Sequence, residues 1–170
     1  MAALAVAVAL VSAAPGLPQQ QFCFGVAPTI TGSGTIVGTN GDDVIQGSAG
    51  NDMILAGNGD DIVCAGAGDD SVAGENGNDE IHAQEGNDQA DGGNGDDRVA
   101  GGPDTDVVLG GNGDDDLLGG QGNNDAVAGE RGDDTLFGGP GVADACDGGP
   151  GEDSAVTAGP EACEVVTDVP

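Results

Sequence analysis

The chain has 170 residues, of which 35 are glycine, 31 are acidic and only 2 are basic, so its formal net charge at pH 7 is −29. With aromatic residues at 2%, it has too few large apolar side chains for an ordinary globular core of this length. The charge excludes nucleic acid as a partner, because phosphate binding needs clustered lysine and arginine, and it opposes docking on an anionic membrane. Two classes remain: a solvated acidic coil, or a fold that needs cations as counter-charge.

An apolar run of small residues opens the chain. Residues 2–14 read AALAVAVALVSAA. This run is too short for a membrane-spanning helix, which needs ~20 residues, and its small residues up to Ala14 suit signal cleavage. We interpret residues 1–14 as a signal peptide and residues 15–21 as a linker, which predicts a secreted, extracellular protein. No lysine or arginine precedes the apolar run, and a disordered apolar tail is the alternative interpretation.

A nonapeptide repeat fills most of the chain. Thirteen units follow one another over residues 38–156, of which GTNGDDVIQ, GGNGDDRVA and GGNGDDDLL are typical, and the frame slips by one residue after Asn123 and again after Val142. The fourth position is glycine in every unit except one, where Asp104 stands, and the eighth position is apolar throughout. The sixth position is aspartate in all thirteen: Asp43, Asp52, Asp61, Asp70, Asp79, Asp88, Asp97, Asp106, Asp115, Asp125, Asp134, Asp144 and Asp153.

This pattern resembles the nonapeptide of the repeat-in-toxin (RTX) calcium-binding family, G-G-x-G-x-D-x-apolar-x, over residues 38–156. The chain is most similar to the small secreted bacterial hemolysin-type calcium-binding repeat proteins. The resemblance implies an all-β fold, a parallel β-roll: a calcium-stabilised β-solenoid with two nonapeptides per coil and short non-repetitive caps. In the family, calcium ions bind between successive turns, and many members carry the roll as an appendage to a toxin, protease or lipase domain.

The residue spacing is consistent with the same coil on physical grounds. The first six residues of each unit, rich in Gly, Asn and Asp, can form a tight turn, and the last three can form a short strand whose central apolar residue points inward. Asn-Gly recurs in every second unit, at Asn40, Asn58, Asn76, Asn94 and Asn112, whereas the alternate units carry other residues there. Two units therefore make one coil, and the two edges of the solenoid differ chemically.

Stacked coils bring each sixth-position aspartate close to the one that lies two units later in the chain. At about 4.8 Å per coil, such a column of carboxylates repels itself unless cations neutralise it. Ca²⁺ takes roughly 6–8 oxygen ligands in flexible geometry, whereas Zn²⁺ favours His and Cys and Mg²⁺ retains its waters. We predict that several Ca²⁺ ions bind the thirteen aspartates together with carbonyl oxygens of the turns. The fifth-position carboxylates, such as Asp60, either face solvent or add further ligands.

Three charged residues test the predicted coil length. Glu80, Arg98 and Asp116 all occupy the seventh position of their units, and each lies two units after the one before it. A coil of two nonapeptides predicts that they lie on three adjacent parallel strands of one outer face. Alternating charge is the order expected to favour this register.

Four cysteines flank or enter the repeats: Cys23, Cys64, Cys146 and Cys163. Of the three pairings, locality and the need to cap a solenoid favour Cys23–Cys64 and Cys146–Cys163. These bonds would tie residues 22–37, an N-terminal cap, and residues 157–170, a C-terminal cap and tail, onto the two ends of the roll. Four buried free thiols are the alternative. Disulfides agree with export, whereas RTX proteins exported by the type I route typically lack both cysteine and a cleaved N-terminal signal.

Nothing in the sequence points to catalysis. His82 is the only histidine, and no G-x-S-x-G, H-E-x-x-H or phosphate-loop motif occurs. We therefore expect a non-enzymatic protein with calcium as its only cofactor. The predicted function is an extracellular calcium-binding module that folds on calcium binding and has a structural, surface or adhesion role. The alternative is a calcium-binding C-terminal fragment of a larger exported toxin, protease or lipase.

Overall fold

The computed structural model describes residues 23–155, 163 and 165–167, and this part of the chain consists of strands and turns. The predicted signal peptide and linker, residues 1–21, lie outside the described residues, as does most of the predicted C-terminal cap and tail, residues 157–170. One sheet holds the odd-numbered strands: β1 (Ile30–Thr31), β3 (Val44–Gln46), β5 (Ile62–Ala67), β7 (Glu80–Glu85), β9 (Arg98–Gly102), β11 (Asp116–Gly120), β13 (Thr135–Phe137) and β15 (Ser154–Ala155). The second holds the even-numbered strands: β2 (Thr35–Val37), β4 (Met53–Asn58), β6 (Ser71–Asn76), β8 (Gln89–Asn94), β10 (Val107–Asn112), β12 (Ala126–Arg131), β14 (Ala145–Asp147) and β16 (Val165–Thr167).

The chain alternates between the two sheets, so that each coil contributes one strand to each. Neighbouring strands within a sheet are β1-β3-β5 and onward to β15, and β2-β4-β6 and onward to β16, and the pairings are parallel. Between β7 and β9 the register pairs Glu80 with Arg98, an offset of two nonapeptide units. The predicted fold class, a parallel β-solenoid with two nonapeptides per coil, is confirmed. The ladder begins at Ile30, ahead of the first full nonapeptide.

No helix among the described residues is long and apolar enough to cross a membrane.

The strands of the central coils are longer than the three residues that the repeat predicts. β7, for example, takes positions seven to nine of one unit and positions one to three of the next, which leaves three residues for the turn. The backbone bends instead at positions two and four, where Gly93 and Gly95 have φ of +106° and +133°. Because Asn94 between them still pairs with its neighbours in β6 and β10, the ladder continues through the third position.

The core is a single stack of eighth-position side chains. Those from Ile36 to Leu136 are buried, at 4% exposure or less, and the small Ala90 takes its place in the stack. A second inward position had no counterpart in the sequence-based prediction. The first residue of each unit also faces inward, and Ala56 and Ala65 there are fully buried.

The two slips of the repeat frame are absorbed in turns. Asn124 and Ala143 both have φ of +65°, in the turns that precede β12 and β14. Strand register is preserved, because Val107 pairs with Ala126, beyond the first inserted residue, in the same way as it pairs with Gln89 in the coil before. One extra residue therefore lengthens the coil without shifting a side chain from one face to the other.

Both predicted disulfides are confirmed, since Cys23 bonds Cys64 and Cys146 bonds Cys163, with Cα–Cα distances of 5.8 and 5.6 Å. The first bond fixes the N-terminal segment onto β5. Phe24 follows it and packs edge-on against the ring of His82, with ring centroids 4.1 Å apart. His82 is therefore partly covered rather than freely exposed.

The predicted row of charges on one outer face is also confirmed. Arg98 pairs in register with Glu80 on one side and with Asp116 on the other. Its Nε lies 3.5 Å from Asp116 Oδ2, whereas Glu80 Oε1 lies 3.9 Å from His82 Nε2. Since Arg98 and Asp116 are largely exposed, their ion pair adds little stability, and the row is evidence for the register of the strands.

The fourth-position glycines offer a matched stability test. A Cβ on Gly95 would collide with the carbonyl oxygen of Gly77, whereas a Cβ on Gly50, at the same position of the second unit, would meet no atom within 4 Å. We expect Gly95→Ala to lower the free energy of unfolding by about 1–3 kcal/mol, because the backbone there is left-handed as well as crowded. Gly50→Ala should change it by less than about 0.5 kcal/mol. Urea denaturation in saturating calcium measures both, and equal losses would contradict the backbone described here.

Candidate metal centre

The sixth-position aspartates form two internal columns, one along each edge of the roll. All thirteen are buried, with exposures between 0% and 8%. The first column holds Asp43, Asp61, Asp79, Asp97, Asp115, Asp134 and Asp153, and the second holds Asp52, Asp70, Asp88, Asp106, Asp125 and Asp144. The structure thus brings together, edge by edge, every residue that the sequence assigned to the metal.

A hydrogen-bond ladder runs along each column and orients its carboxylates. The backbone N–H of each aspartate except the last in its column donates to Oδ1 of the aspartate in the next coil. In the middle of the first column, Asp79 N–H donates to Asp97 Oδ1 at 2.7 Å, and Asp97 N–H donates to Asp115 Oδ1 at 2.8 Å. In every aspartate after the first of each column, Oδ1 is therefore fixed by the backbone of the preceding coil, and Oδ2 is left to point back into its own turn.

That second oxygen has no protein partner in eleven of the thirteen aspartates. Burying a charged oxygen without a donor or a cation lowers the stability of the fold by roughly several kcal/mol. These atoms therefore need a ligand. The eleven atoms are Oδ2 of Asp61, Asp70, Asp79, Asp88, Asp97, Asp106, Asp115, Asp125, Asp134, Asp144 and Asp153.

Carbonyl oxygens lie beside these unpartnered atoms. A Cβ built on Gly92 would lie 2.5 Å from Asp97 Oδ2 and 2.7 Å from the carbonyl oxygen of Gly110 in the next coil. The second column repeats the arrangement at Gly101, where Asp106 Oδ2 and the Gly119 carbonyl oxygen would each be 2.5 Å from such an atom. At these two glycines, the absence of a Cβ leaves room between a carboxylate oxygen of the same turn and a carbonyl oxygen of the next coil.

This donor set fits calcium. The groups available are hard oxygens. Among the described residues no three Asp, Glu, His or Cys side chains converge on one point, so side chains alone would not complete a coordination shell. A cation held here would take carboxylate oxygens from neighbouring coils and complete its shell with turn carbonyls, which Ca²⁺ accepts and Zn²⁺ disfavours. When bound, calcium supplies the positive charge that lets successive buried carboxylates remain ionised.

The protonation equilibria reflect the same burial. Burial raises the pKa of Asp79 to about 6 and those of Asp97 and Asp106 to about 7, and donation from the backbone only partly offsets this effect. Neighbouring carboxylates in the same column add repulsion in the same direction. Without a cation, the carboxyls of Asp97 and Asp106 therefore bind protons near neutral pH.

The fifth-position residues form a separate, exposed ladder. Their side-chain oxygens accept backbone N–H groups from the next coil: Asn78 N–H donates to Asp60 Oδ1 at 2.9 Å, and Asp96 N–H donates to Asn78 Oδ1 at 3.1 Å. On the other edge, donation from the backbone and side chain of Asn87 holds the pKa of Asp69 below its ordinary value. These side chains thus link successive turns by hydrogen bonds at the surface. The sequence analysis considered only exposure to solvent or a role as further ligands.

The protein is thus a parallel β-solenoid whose turns carry stacked, buried carboxylates. A family profile described as the RTX calcium-binding nonapeptide repeat matches in four copies, over residues 30–63, 65–90, 91–126 and 123–155. The chain belongs to this family, as its sequence pattern indicated. A search of curated proteins found no match.

Two features of the site were missed by sequence reasoning although signals for both exist. The first position of every unit is glycine or alanine, never larger, which marks the crowded space beside the carboxylate. The fifth position is aspartate or asparagine in most units, which suits a short side chain that accepts an N–H from the next coil.

The assignment of ligands predicts unequal effects of two neighbouring substitutions. Asp79 is buried in mid-column with an unpartnered Oδ2, whereas Asp60 is exposed and bonded to the backbone of the next coil. We expect Asp79→Ala to raise the calcium concentration at the folding midpoint by about tenfold or more, since a shared charged ligand is lost. Asp60→Ala should shift it by less than about threefold. Calcium titration followed by far-UV circular dichroism compares them, and equal shifts would show that the sixth position is not the ligand.

The raised pKa values predict how the calcium-free protein responds to pH. Since these carboxyls have a higher pKa when folded than the ordinary 3.8, their contribution favours folding below about pH 4 and is lost as the pH rises through 6 to 7. In chelator, the β content should therefore be greater at pH 5 than at pH 8. Repeating the comparison in about 0.5 M salt screens the general repulsion of the acidic chain but not the burial of the columns. A β content that does not fall with rising pH at high salt would contradict this interpretation.

Proposed function

We propose that this protein is a secreted calcium-binding module that folds when calcium binds and has a structural rather than a catalytic role outside the cell. The observation that carries the proposal is the pair of internal columns with eleven buried, unpartnered carboxylate oxygens. A chain that places so many acceptors inside without donors is built around a cation. Membership of the calcium-binding repeat family supports calcium as that cation.

Folding should depend on the ion because the core is small. Each unit contributes one eighth-position side chain, and some of these are as small as Ala90. Such a core offsets little of the backbone entropy of a glycine-rich chain, and the buried carboxylates oppose folding further. Calcium bound between the coils then supplies folding free energy directly, as metals do in other small metal-dependent domains.

Two features support an extracellular setting. Both disulfides connect flanking segments to the roll, and such bonds persist in oxidising compartments. The apolar residues 2–14 have the composition of a signal peptide. With dissociation constants of about 10⁻⁴–10⁻³ M, as is common for extracellular calcium modules, the chain would stay unfolded at cytosolic calcium and fold after export.

A structural role is consistent with the surface. The roll presents two strongly acidic edges, and its one histidine, His82, lies against Phe24 and Glu80. Burial lowers the pKa of His82, with Glu80 opposing that shift. We propose a surface or adhesion component in which a calcium-loaded roll acts as a rigid spacer.

Circular dichroism with and without calcium tests the proposal. In EDTA, non-reduced protein should give the spectrum of a largely unfolded chain, and calcium at about 1–10 mM should restore the β spectrum because the sites are weak extracellular ones. Magnesium at the same concentration is the matched control and should fail, since it keeps its waters. An unchanged spectrum in EDTA, or equal recovery in magnesium, would contradict calcium-driven folding.

A further inference from the structure

The first aspartate of each column differs from all the others. Asp43 and Asp52 are buried like the rest, but both of their carboxylate oxygens have protein donors. They open the two columns at the N-terminal end of the roll. The exception is therefore symmetric, with one aspartate on each edge.

Hydroxyl residues at the second position supply most of these donors. Thr39 donates to Asp43 Oδ2 from its backbone N–H at 2.7 Å and from Oγ1 at 2.9 Å. Ser48 donates to Asp52 Oδ2 in the same way, also at 2.7 and 2.9 Å. The other oxygen accepts from Thr29 Oγ1 in the case of Asp43 and from the N–H of Gly34 in the case of Asp52.

The backbone of these two turns differs as well. From Gly57 onward the second position has positive φ in every unit, including Glu75 and Glu130, which are not glycine. Thr39 and Ser48 do not have positive φ, and each hydroxyl is bonded within its own turn to the residue two positions on, Gly41 or Gly50. The altered backbone is what directs the second-position N–H at the carboxylate.

We propose that Asp43 and Asp52 do not bind calcium, and that the hydroxyl and N–H groups of Thr39 and Ser48 occupy the place that calcium takes in the later turns. The proposal rests on the proposed function, because it assigns the remaining aspartates to the ion. Each column then begins with a metal-free closing turn, and its calcium ligands begin at Asp61 and Asp70. The first coil, residues 38–55, is complete without the ion.

Two further observations support a first coil that is stable in its own right. The core of the first coil holds two large side chains, Ile45 and Ile54, and Ile36 packs against them from the preceding strand. All three are buried at 4% exposure or less. The Cys23–Cys64 bond ties the preceding segment to the coil above. A calcium-independent end of this kind gives the calcium-dependent coils a surface on which to stack, which a repeat array needs at its end.

Matched asparagine substitutions in the full chain test the assignment. Asparagine keeps the shape of the side chain but removes its charge. We expect Asp43→Asn to leave the number of bound calcium ions unchanged and the calcium midpoint within about twofold, whereas Asp97→Asn should raise the midpoint about tenfold or release bound calcium. Calcium bound per chain is measured by equilibrium dialysis with elemental analysis, and the midpoint by circular dichroism.

The outcomes separate this inference from the proposed function. If Asp43→Asn loses calcium as Asp97→Asn does, the inference is overturned while calcium-driven folding stands. If neither variant alters calcium binding, the columns are not the calcium sites, and the proposed function fails together with the inference. If only Asp97→Asn alters it, both are supported.

Thr39→Val provides a second test, which does not touch a carboxylate. Valine has the shape of threonine without its hydroxyl, so Asp43 loses one donor. We expect a lower thermal midpoint at saturating calcium with the same number of bound ions, and faster hydrogen exchange of residues 38–55 in EDTA than in the unaltered chain. Loss of a calcium ion, or exchange of residues 38–55 in EDTA as fast as that of residues 92–137 in the unaltered chain, would overturn the proposal.

Discussion

The burial of two columns of aspartate carboxylates is the constraint on which the rest of the structure depends. A chain of net charge −29 places thirteen of its acidic groups inside, stacked coil upon coil. In every aspartate after the first of each column, the backbone N–H ladder satisfies one oxygen and fixes its direction, as from Asp79 to Asp97. Because the second oxygen is left without a donor in eleven of them, the fold is complete only with a cation or a proton at those places.

The residue type at each recurrent position of the nonapeptide has its own physical reason in this arrangement. The first residue must be small because a carboxylate and a carbonyl oxygen crowd it, as Asp97 and Gly110 crowd Gly92. In most units the second and fourth must accept positive φ, which glycine does at least cost. The eighth supplies the core. Glu130 and Asp104 are not glycine but have φ of +72° and +81°. Stacking of the coils therefore imposes positive φ at these positions even on residues that disfavour it.

The global architecture could be predicted from the sequence because it depends on periodicity. Recurrence of Asn-Gly in every second unit predicted the coil length, which the pairing of Glu80 with Arg98 confirms. Locality and the need for caps favoured the disulfide pairing, which the bond of Cys23 to Cys64 confirms. Strand length and the fifth-position ladder could not be predicted, because they depend on where φ changes sign and on which N–H a short side chain meets. The closing turns at Thr39 and Ser48 depend on the same details, although their hydroxyl residues are visible in the sequence.

The two edges of the roll differ in regularity: one has repeats of constant length, and the other holds the inserted residues. On the edge of the first column, asparagine amides form a continuous ladder in which Asn76 donates to Asn58 and Asn94 donates to Asn76, each at 3.1 Å. The irregular residues lie on the opposite edge: Asp104, which stands where other units have glycine, and the two inserted residues, Asn124 and Ala143. Stacked asparagine amides add stability to a parallel sheet, and this ladder runs from Asn40 to Asn112, ahead of both insertions. The edge of the first column therefore keeps nonapeptides of equal length, whereas the opposite edge takes up each extra residue in a turn without altering which residues face the core.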